Sequence, residues 1–263
     1  MTNIILNGCN GRMGQVIASI IKSDYTPEKT ANQRKACRIT FGVDLQPVQL
    51  QDFPVYAAWS EIPADAQGDV IIDFSHPSAL RGLIDFALSR RLSVVVATTG
   101  IPQTDIEYMK EAAKQIPVFH SANMSIGICL LKDLVKRATA FLGDDFDIEI
   151  VERHHNQKLD APSGTALALA DAINSVNTDK FSYTYDRHSR SAKRSKHEIG
   201  ISAVRGGNII GDHDVIFAGN NEIVEISHKA ISRNIFADGA VKAAIFMKDK
   251  PAGFYDMSSM LAD

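Results

Sequence analysis

The sequence predicts an α/β protein in which a doubly wound parallel sheet is followed by an α+β domain built on an open mixed sheet. Short β-favouring apolar runs alternate with helical periodicity over the first half of the chain. A glycine-rich turn links the first such run to the first helical stretch. From about residue 181 the alternation gives way to strands in succession.

Ile4-Ile5-Leu6 is a continuous apolar run ended by glycine, after which Met13, Val16, Ile17, Ile20 and Ile21 recur at helical spacing. Further strands are expected at Ile39–Val43, Val70–Phe74, Ser93–Ala97 and Pro117–Phe119. Their runs barely alternate, as parallel strands covered on both faces require. Between them, residues 78 to 90 place Leu80, Leu83, Ile84, Ala87 and Leu88 on one face, and residues 103 to 115 offer a second helical stretch. Residues 126 to 142 read as a long apolar helix, Asp147–Val151 as a strand and residues 163 to 176 as a helix. Phe181–Tyr185, Ile199–Val204, His213–Ala218 and Glu222–Ser227 follow as strands, and short joining loops predict largely antiparallel pairing. The helix Ile235–Met247, rich in small residues, is expected to return to the first domain. The expected division is therefore 1–125 with 236–263, and 126–235.

A net charge of -3 gives no general attraction to nucleic acid or to anionic membranes. The one basic cluster, with Arg187, Arg190, Lys193, Arg194 and Lys196, lies among serines and reads as a solvated loop. Three widely spaced cysteines without a C-x-x-C pair suggest neither a disulfide framework nor a zinc site, and fit a reducing cytoplasm. No signal peptide is expected from the short N-terminal apolar run, and no stretch reaches membrane-helix length. The polar stretch 25 to 38 and the basic loop are the places where disorder is expected.

Gly8-Cys9-Asn10-Gly11-Arg12-Met13-Gly14 follows the first strand and opens the first helix, which is the setting that a Rossmann dinucleotide fingerprint needs. Glycines let the backbone turn tightly beside a pyrophosphate, whose charge meets the positive end of the helix. The ribose-binding acid should end the second strand, and Asp44 is the candidate. It stands thirty positions beyond Gly14, so the polar stretch 25 to 38 reads as an insertion. The alternatives are a packing turn for the glycines and an ordinary turn aspartate for Asp44.

Chemical capacity is concentrated in Glu152-Arg153-His154-His155-Asn156-Gln157-Lys158-Leu159-Asp160-Ala161-Pro162-Ser163-Gly164-Thr165, between a strand and a helix. Two imidazoles with a lysine nearby can move protons near neutral pH and hold an anion. A helix starting at Ser163, Gly164 and Thr165 suits a carboxylate. The bland alternative is a capped helix behind a polar loop with exposed histidines. Metal binding is not expected, because adjacent histidines on a strand point to opposite faces and nothing completes a zinc shell.

That segment, together with the turn at 8 to 14, resembles the 4-hydroxy-tetrahydrodipicolinate reductase family, whose E-x-H-H-x-x-K-x-D-x-P-S-G-T-A signature stands intact here. Further matches follow in family order at Asp73-Phe74-Ser75-His76-Pro77, Ala97-Thr98-Thr99-Gly100, Ser121 to Gly127, Val204-Arg205-Gly206-Gly207 and Ile226 to Ala230, so the likeness spans both domains. The resemblance implies hydride transfer from NADH or NADPH to C4 of a small cyclic dicarboxylate, giving tetrahydrodipicolinate, in lysine and diaminopimelate biosynthesis. It implies that His154 and Lys158 transfer protons while His155, Gly164 and Thr165 hold a substrate carboxylate. It further implies that Gly8, Cys9, Asn10, Gly11, Arg12 and Met13 cradle the pyrophosphate. Ala97, Thr98 and Thr99 with Ser121, Ala122, Asn123 and Met124 would line the ribose and nicotinamide. A homotetramer built through the second-domain sheets is implied as well.

Two departures from the family pattern stand out. Leu45 follows Asp44 where a basic residue is frequent, which tilts the expectation toward NADH, although Arg34, Lys35 or Arg38 folding back would restore NADPH use. Met124 replaces an aromatic, a change expected to alter packing more than chemistry. Two other readings compete. One is another two-domain dehydrogenase sharing the first domain, for example an amino-acid or semialdehyde dehydrogenase, of which an acylating aldehyde enzyme needs a thiolate, for which Cys9 and Cys129 are badly placed. The other, a redox-sensing regulator that binds NAD(H) without turnover, needs a partner-binding module such as a helix-turn-helix, which the strand-rich second half lacks.

Overall fold

Every side chain of Ile4, Ile5 and Leu6 is buried in β1 (Thr2–Asn7), because this strand lies inside its sheet and is covered on both faces. The structure, a computed structural model, describes residues 1–30, 36–48, 50, 52–189 and 191–261. Its chain divides into one unit of Met1–Met124 with Asn234–Asp263 and another of Ser125–Arg233.

In the first unit β1 leads to α1 (Arg12–Asp24), and β2 (Cys37–Val43), β3 (Val55–Tyr56) and β4 (Val70–Asp73) follow. Next come α2 (Leu80–Arg90), β5 (Ser93–Val96), α3 (Gln103–Ala112) and β6 (Pro117–His120). All strands are parallel in the order β12-β6-β5-β4-β1-β2-β3, with β12 (Gly253–Tyr255) added at the C-terminal edge. Strand order reverses between β1 and β4, the point at which doubly wound sheets bind ligands. Leu80, Leu83, Ile84 and Ala87 of α2 and Met109 and Ala112 of α3 bury one face against Ile5, Ile71, Val94 and Val118. On the other face α1 packs on α6 (Asn234–Met247), whose Ala237, Ala240, Val241 and Ala244 are fully buried. Small residues let this helix lie close to β4 and β5.

The second unit begins with α4 (Ile126–Leu142), then β7 (Asp147–His154), α5 (Gly164–Ser175), β8 (Ser182–Thr184), β9 (Glu198–Arg205), β10 (Asp212–Ala218) and β11 (Ile223–Lys229). Its sheet order is β11-β10-β7-β9-β8. The expectation of largely antiparallel pairing is corrected: β7 pairs with β10 and β10 with β11 antiparallel, but β7 pairs with β9 and β8 with β9 in parallel. Only β10 and β11 form a hairpin, since β9 turns away from β10 and leaves β7 between them. Residues 185 to 197 therefore carry the chain from the end of β8 back to the start of β9.

That connection holds the described part of the basic cluster. Arg187 bonds Glu149 at 2.6 Å and Glu198 at 2.9 Å, and Arg194 bonds Asp147 at 2.8 Å and Glu149 at 3.1 Å. The reading of a solvated loop is thus corrected for these two arginines, which are turned onto acidic groups of β7 and β9; Arg190 lies outside the described residues, as do Arg34 and Lys35.

Candidate functional site

In the first unit the fingerprint residues lie past the carboxyl ends of parallel strands. Gly8 has φ +76°, and a Cβ there would stand 2.6 Å from the Phe74 carbonyl oxygen; a Cβ on Gly14 would stand 2.2 Å from that of Gly8. The turn thus presses on β4 and on itself as only glycine permits. No side chain caps α1 at Gly11, and its first turn carries no acidic residue, so the positive end of the helix is left to an anion. Asp44 ties the turn to the end of β2: its carboxylate accepts the N–H of Asn10 at 2.9 Å and that of Gln46 at 3.1 Å. A cavity of about 500 Å³ adjoins these groups, lined by Gly8, Gly11, Asp44, Trp59, His76 and Gly82 among others. Trp59 and His76 were given no role from the sequence, and Trp59 is the only tryptophan in the chain.

Asp73, fully buried at the end of β4, organises the neighbouring loops. It accepts from Asn7 Nδ2 at 2.7 Å and Thr98 Oγ1 at 2.7 Å, and from Ser75 Oγ at 2.5 Å. Burial pushes its carboxyl up, and these donors oppose the shift. Thr98 is buried with its hydroxyl given to Asp73, whereas Thr99 is exposed and Ala97 is buried. Ser121 Oγ donates to the Asn123 carbonyl at 2.7 Å, Ala122 is exposed, and Met124 is buried with its carbonyl oxygen against Gly239 of α6. Arg12 is exposed and Met13 half-buried. Burial, with the Asp44 charge, pushes the Cys9 thiol up to about 11, and burial pushes Cys37 up to about 12; Cys129 is buried in α4. The thiols of Cys9 and Cys37, held protonated in this way, are poor nucleophiles.

The second unit gathers its polar groups by strand register. Side chains two apart share a sheet face, and on the face covered by α4 and α5 the residues Ile148, Ile150, Ile199, Ile201, Val215 and Phe217 form the apolar core. Continuing along the same face, β7 offers Glu152 and His154. Glu152 faces His213 across to β10, His213 faces His228 on β11, and His154 faces Arg205 on β9. One end of an apolar face thereby becomes a polar cluster.

Glu152 is fully buried. Its Oε1 accepts from Arg205 Nη2 at 2.7 Å and the Ser163 N–H at 3.0 Å; its Oε2 lies 2.8 Å from Arg205 Nη1 and 2.6 Å from His154 Nδ1. Burial opposes ionisation, but these partners outweigh it and hold the carboxyl below its ordinary range. Ser163 caps α5 by accepting the Ala166 N–H at 3.1 Å, and its Oγ lies 2.9 Å from His213 Nε2. Burial, followed by the neighbouring His154, pushes His213 down to about 4. The His154 and His213 rings meet edge to face at 5.2 Å. Gly211 leaves the other edge of His154 clear, for a Cβ there would stand 3.0 Å from Nε2.

His155 is the first residue past β7 and is half-buried; Lys158 pairs with Asp160 at 2.8 Å. Gly164 is exposed and Thr165 half-buried at the start of α5, whose first turn lacks an acidic residue. Glu152 and Arg205 lie within sequence motifs that assign them no role, and His213 lies outside those motifs. Their signal is the placement of Glu152 one turn of the pleat before His154; the partners on β9 and β10 follow only from register. Among the described residues, no three His, Cys, Asp or Glu side chains are grouped to hold a metal, and no described helix is long and apolar enough to cross a membrane.

Comparison with known proteins covers both units. The family model described as dihydrodipicolinate reductase, N-terminus, matches residues 2–124, and that described as dihydrodipicolinate reductase, C-terminus, matches residues 127–261. A 4-hydroxy-tetrahydrodipicolinate reductase of Caldanaerobacter subterraneus subsp. tengcongensis is 48% identical over 261 residues, covering 99% of this chain and 98% of the relative. One of Clostridium tetani is also 48% identical, covering 99% and 97%. Among solved structures, the dipicolinate-bound dihydrodipicolinate reductase of Paenisporosarcina sp. TG-14 superposes with a TM-score of 0.75 at 22% identity, covering 97% of each chain. A probable dehydrogenase from Thermotoga maritima shares the fold at TM-score 0.62 and 12% identity.

Proposed function

The chain belongs to the dihydrodipicolinate reductase family, and from that premise we propose that it reduces 4-hydroxy-tetrahydrodipicolinate, by way of dihydrodipicolinate, to tetrahydrodipicolinate with NADH or NADPH. It is an oxidoreductase of lysine and diaminopimelate biosynthesis. The observation that carries the reading is the polar end of the second unit's sheet, where Glu152, His154 and the capped start of α5 are bonded into one cluster.

The residues of the first unit fit a dinucleotide: a glycine turn that no Cβ could enter, an uncapped helix start, and a cavity of about 500 Å³ with Asp44 on its wall. Gly8, Cys9, Asn10, Gly11, Arg12 and Met13 would hold the pyrophosphate and Asp44 the adenosine ribose. Ala97 to Thr99 and Ser121 to Met124 would flank the remainder. When bound, the reduced nicotinamide supplies hydride to C4 of the substrate. Negative charge then develops on the conjugated carbon and nitrogen and must be met by a proton. His154 and Lys158 are the groups suited to deliver it. The N–H groups of Gly164 and Thr165, at the positive end of α5, and His155 would hold a carboxylate.

The cofactor tilts toward NADH, because Asp44 would repel a 2′-phosphate and Leu45, 91% exposed, offers no cation beside it. Comparing kcat/KM for the two cofactors checks this, with Leu45→Arg expected to raise the NADPH value; a strong NADPH preference in the unmodified chain contradicts it. The chain is expected to work in the cytoplasm, without a metal, as a homotetramer. What supports assembly is the outer face of the second sheet: α4 and α5 pack on the opposite face, and Val204 and Ile223 stay 44% and 68% exposed.

Lys158→Ala tests the assignment of roles. It should lower kcat by about 10²- to 10⁴-fold while NADH affinity, read from quenching of Trp59, stays unchanged. Equal loss of NADH binding would contradict it.

A further inference from the structure

We infer that Glu152 and Arg205 are positioning residues that set which nitrogen of His154 exchanges a proton and hold the groups around it in register. The inference rests on the reading of His154 as a proton-transfer residue and adds the device that makes it one. An ionised carboxylate can only accept hydrogen bonds. Since Glu152 Oε2 lies 2.6 Å from His154 Nδ1, Nδ1 carries the proton and Nε2 is the nitrogen left to gain or lose one.

All four acceptor positions of Glu152 are used. Arg205 spans both oxygens with its two terminal nitrogens, His154 takes one side and the Ser163 N–H the other. Arg205 Nη2 also donates to the Asp160 carbonyl at 2.6 Å, and Asp160 in turn pairs with Lys158. This pair, a buried carboxylate and a half-buried guanidinium, thus reaches the imidazole, the loop bearing Lys158 and the first turn of α5.

Comparison of Glu152→Gln with Glu152→Asp separates this role from packing. Glutamine keeps the shape of glutamate but must turn an N–H₂ toward one pair of donors. Facing His154, it reverses the tautomer; facing Ser163, it unseats α5. Aspartate keeps an acceptor-only carboxylate and sacrifices shape. We expect Glu152→Gln to lower kcat about 10²- to 10³-fold, with NADH affinity by Trp59 quenching held within about twofold. Glu152→Asp should retain about tenfold more kcat than Glu152→Gln. A packing role predicts the reverse order, and Glu152→Gln matching or exceeding Glu152→Asp would overturn the inference.

Should Glu152→Gln fail to fold, Arg205→Lys keeps the charge and loses the fork. It should lower kcat about tenfold at unchanged NADH affinity, and wild-type kcat would overturn the proposal. His154→Gln is measured alongside. If it retains wild-type kcat, the reading of His154 and this inference fall together. If it is impaired while Glu152→Gln is not, only the inference fails.

Discussion

His213 lies in the polar end of the second unit with Nε2 against Ser163 Oγ and Nδ1 buried without a hydrogen bond. Its proton affinity, lowered from 6.5 to about 4 chiefly by burial, ties stability to pH. Between those values the unfolded chain binds a proton that the folded chain does not, so stability falls as pH drops from about 6.5 to about 4. The full loss is about 3 kcal/mol. Glu152 acts in the same direction but in a lower window, as pH passes below the ordinary carboxylate range. Chemical denaturation at a series of pH values should therefore show a slope in the upper window that His213→Gln reduces. An unchanged slope in that variant would place the effect elsewhere. Nothing in the sequence marks His213: its neighbours Ser163 and His154 stand 50 and 59 positions earlier, and only strand register brings them together.

Helix α5 joins the apolar core to the chemistry. Ala166, Leu169, Ala170 and Ile173 bury one face, while its start is fixed by Ser163, which caps Ala166 and whose N–H reaches Glu152. Ser163→Ala should destabilise the chain by about 0.5–2 kcal/mol and raise KM for the dicarboxylate. Ser163→Thr, which keeps the hydroxyl, should be nearly neutral. Denaturation midpoints with steady-state kinetics decide this, and equal stability of Ala and Thr variants would remove the cap from the account. Elements of this kind were legible in the sequence, since α4 spans the 126 to 142 read from periodicity and Ser163 opens a helix where the polar loop ends. The strands β3 and β12, two and three residues long, were not, because so few side chains carry no period. Pairing in the second sheet was also misread. Apolar alternation fixes which face of a strand is buried, not which strand lies beside it, and β9 follows β8 in sequence while running parallel to it.

Across the whole molecule, the two units carry two separate groups of candidate site residues. The Met1–Met124 and Asn234–Asp263 unit holds the glycine turn, Asp44 and the cavity beside Trp59; the Ser125–Arg233 unit holds His154, Lys158 and the start of α5. The doubly wound class was legible because parallel strands buried on both faces leave uninterrupted apolar runs such as Val70–Asp73 and Ser93–Val96. The contiguous His-His-x-x-Lys segment was legible as a concentration of titratable side chains between a strand and a helix. The buried carboxylate beneath it acquires meaning only through Arg205, 53 residues on.

These groups are proposed to serve hydride transfer from a nicotinamide to C4 of the cyclic dicarboxylate. The most direct test condenses pyruvate with aspartate semialdehyde using a synthase, adds this chain with NADH deuterated at the transferred position, and locates the label in the product. NADH should be oxidised and deuterium should appear at C4 of tetrahydrodipicolinate. No oxidation with either cofactor, or a product without label at C4, would contradict it.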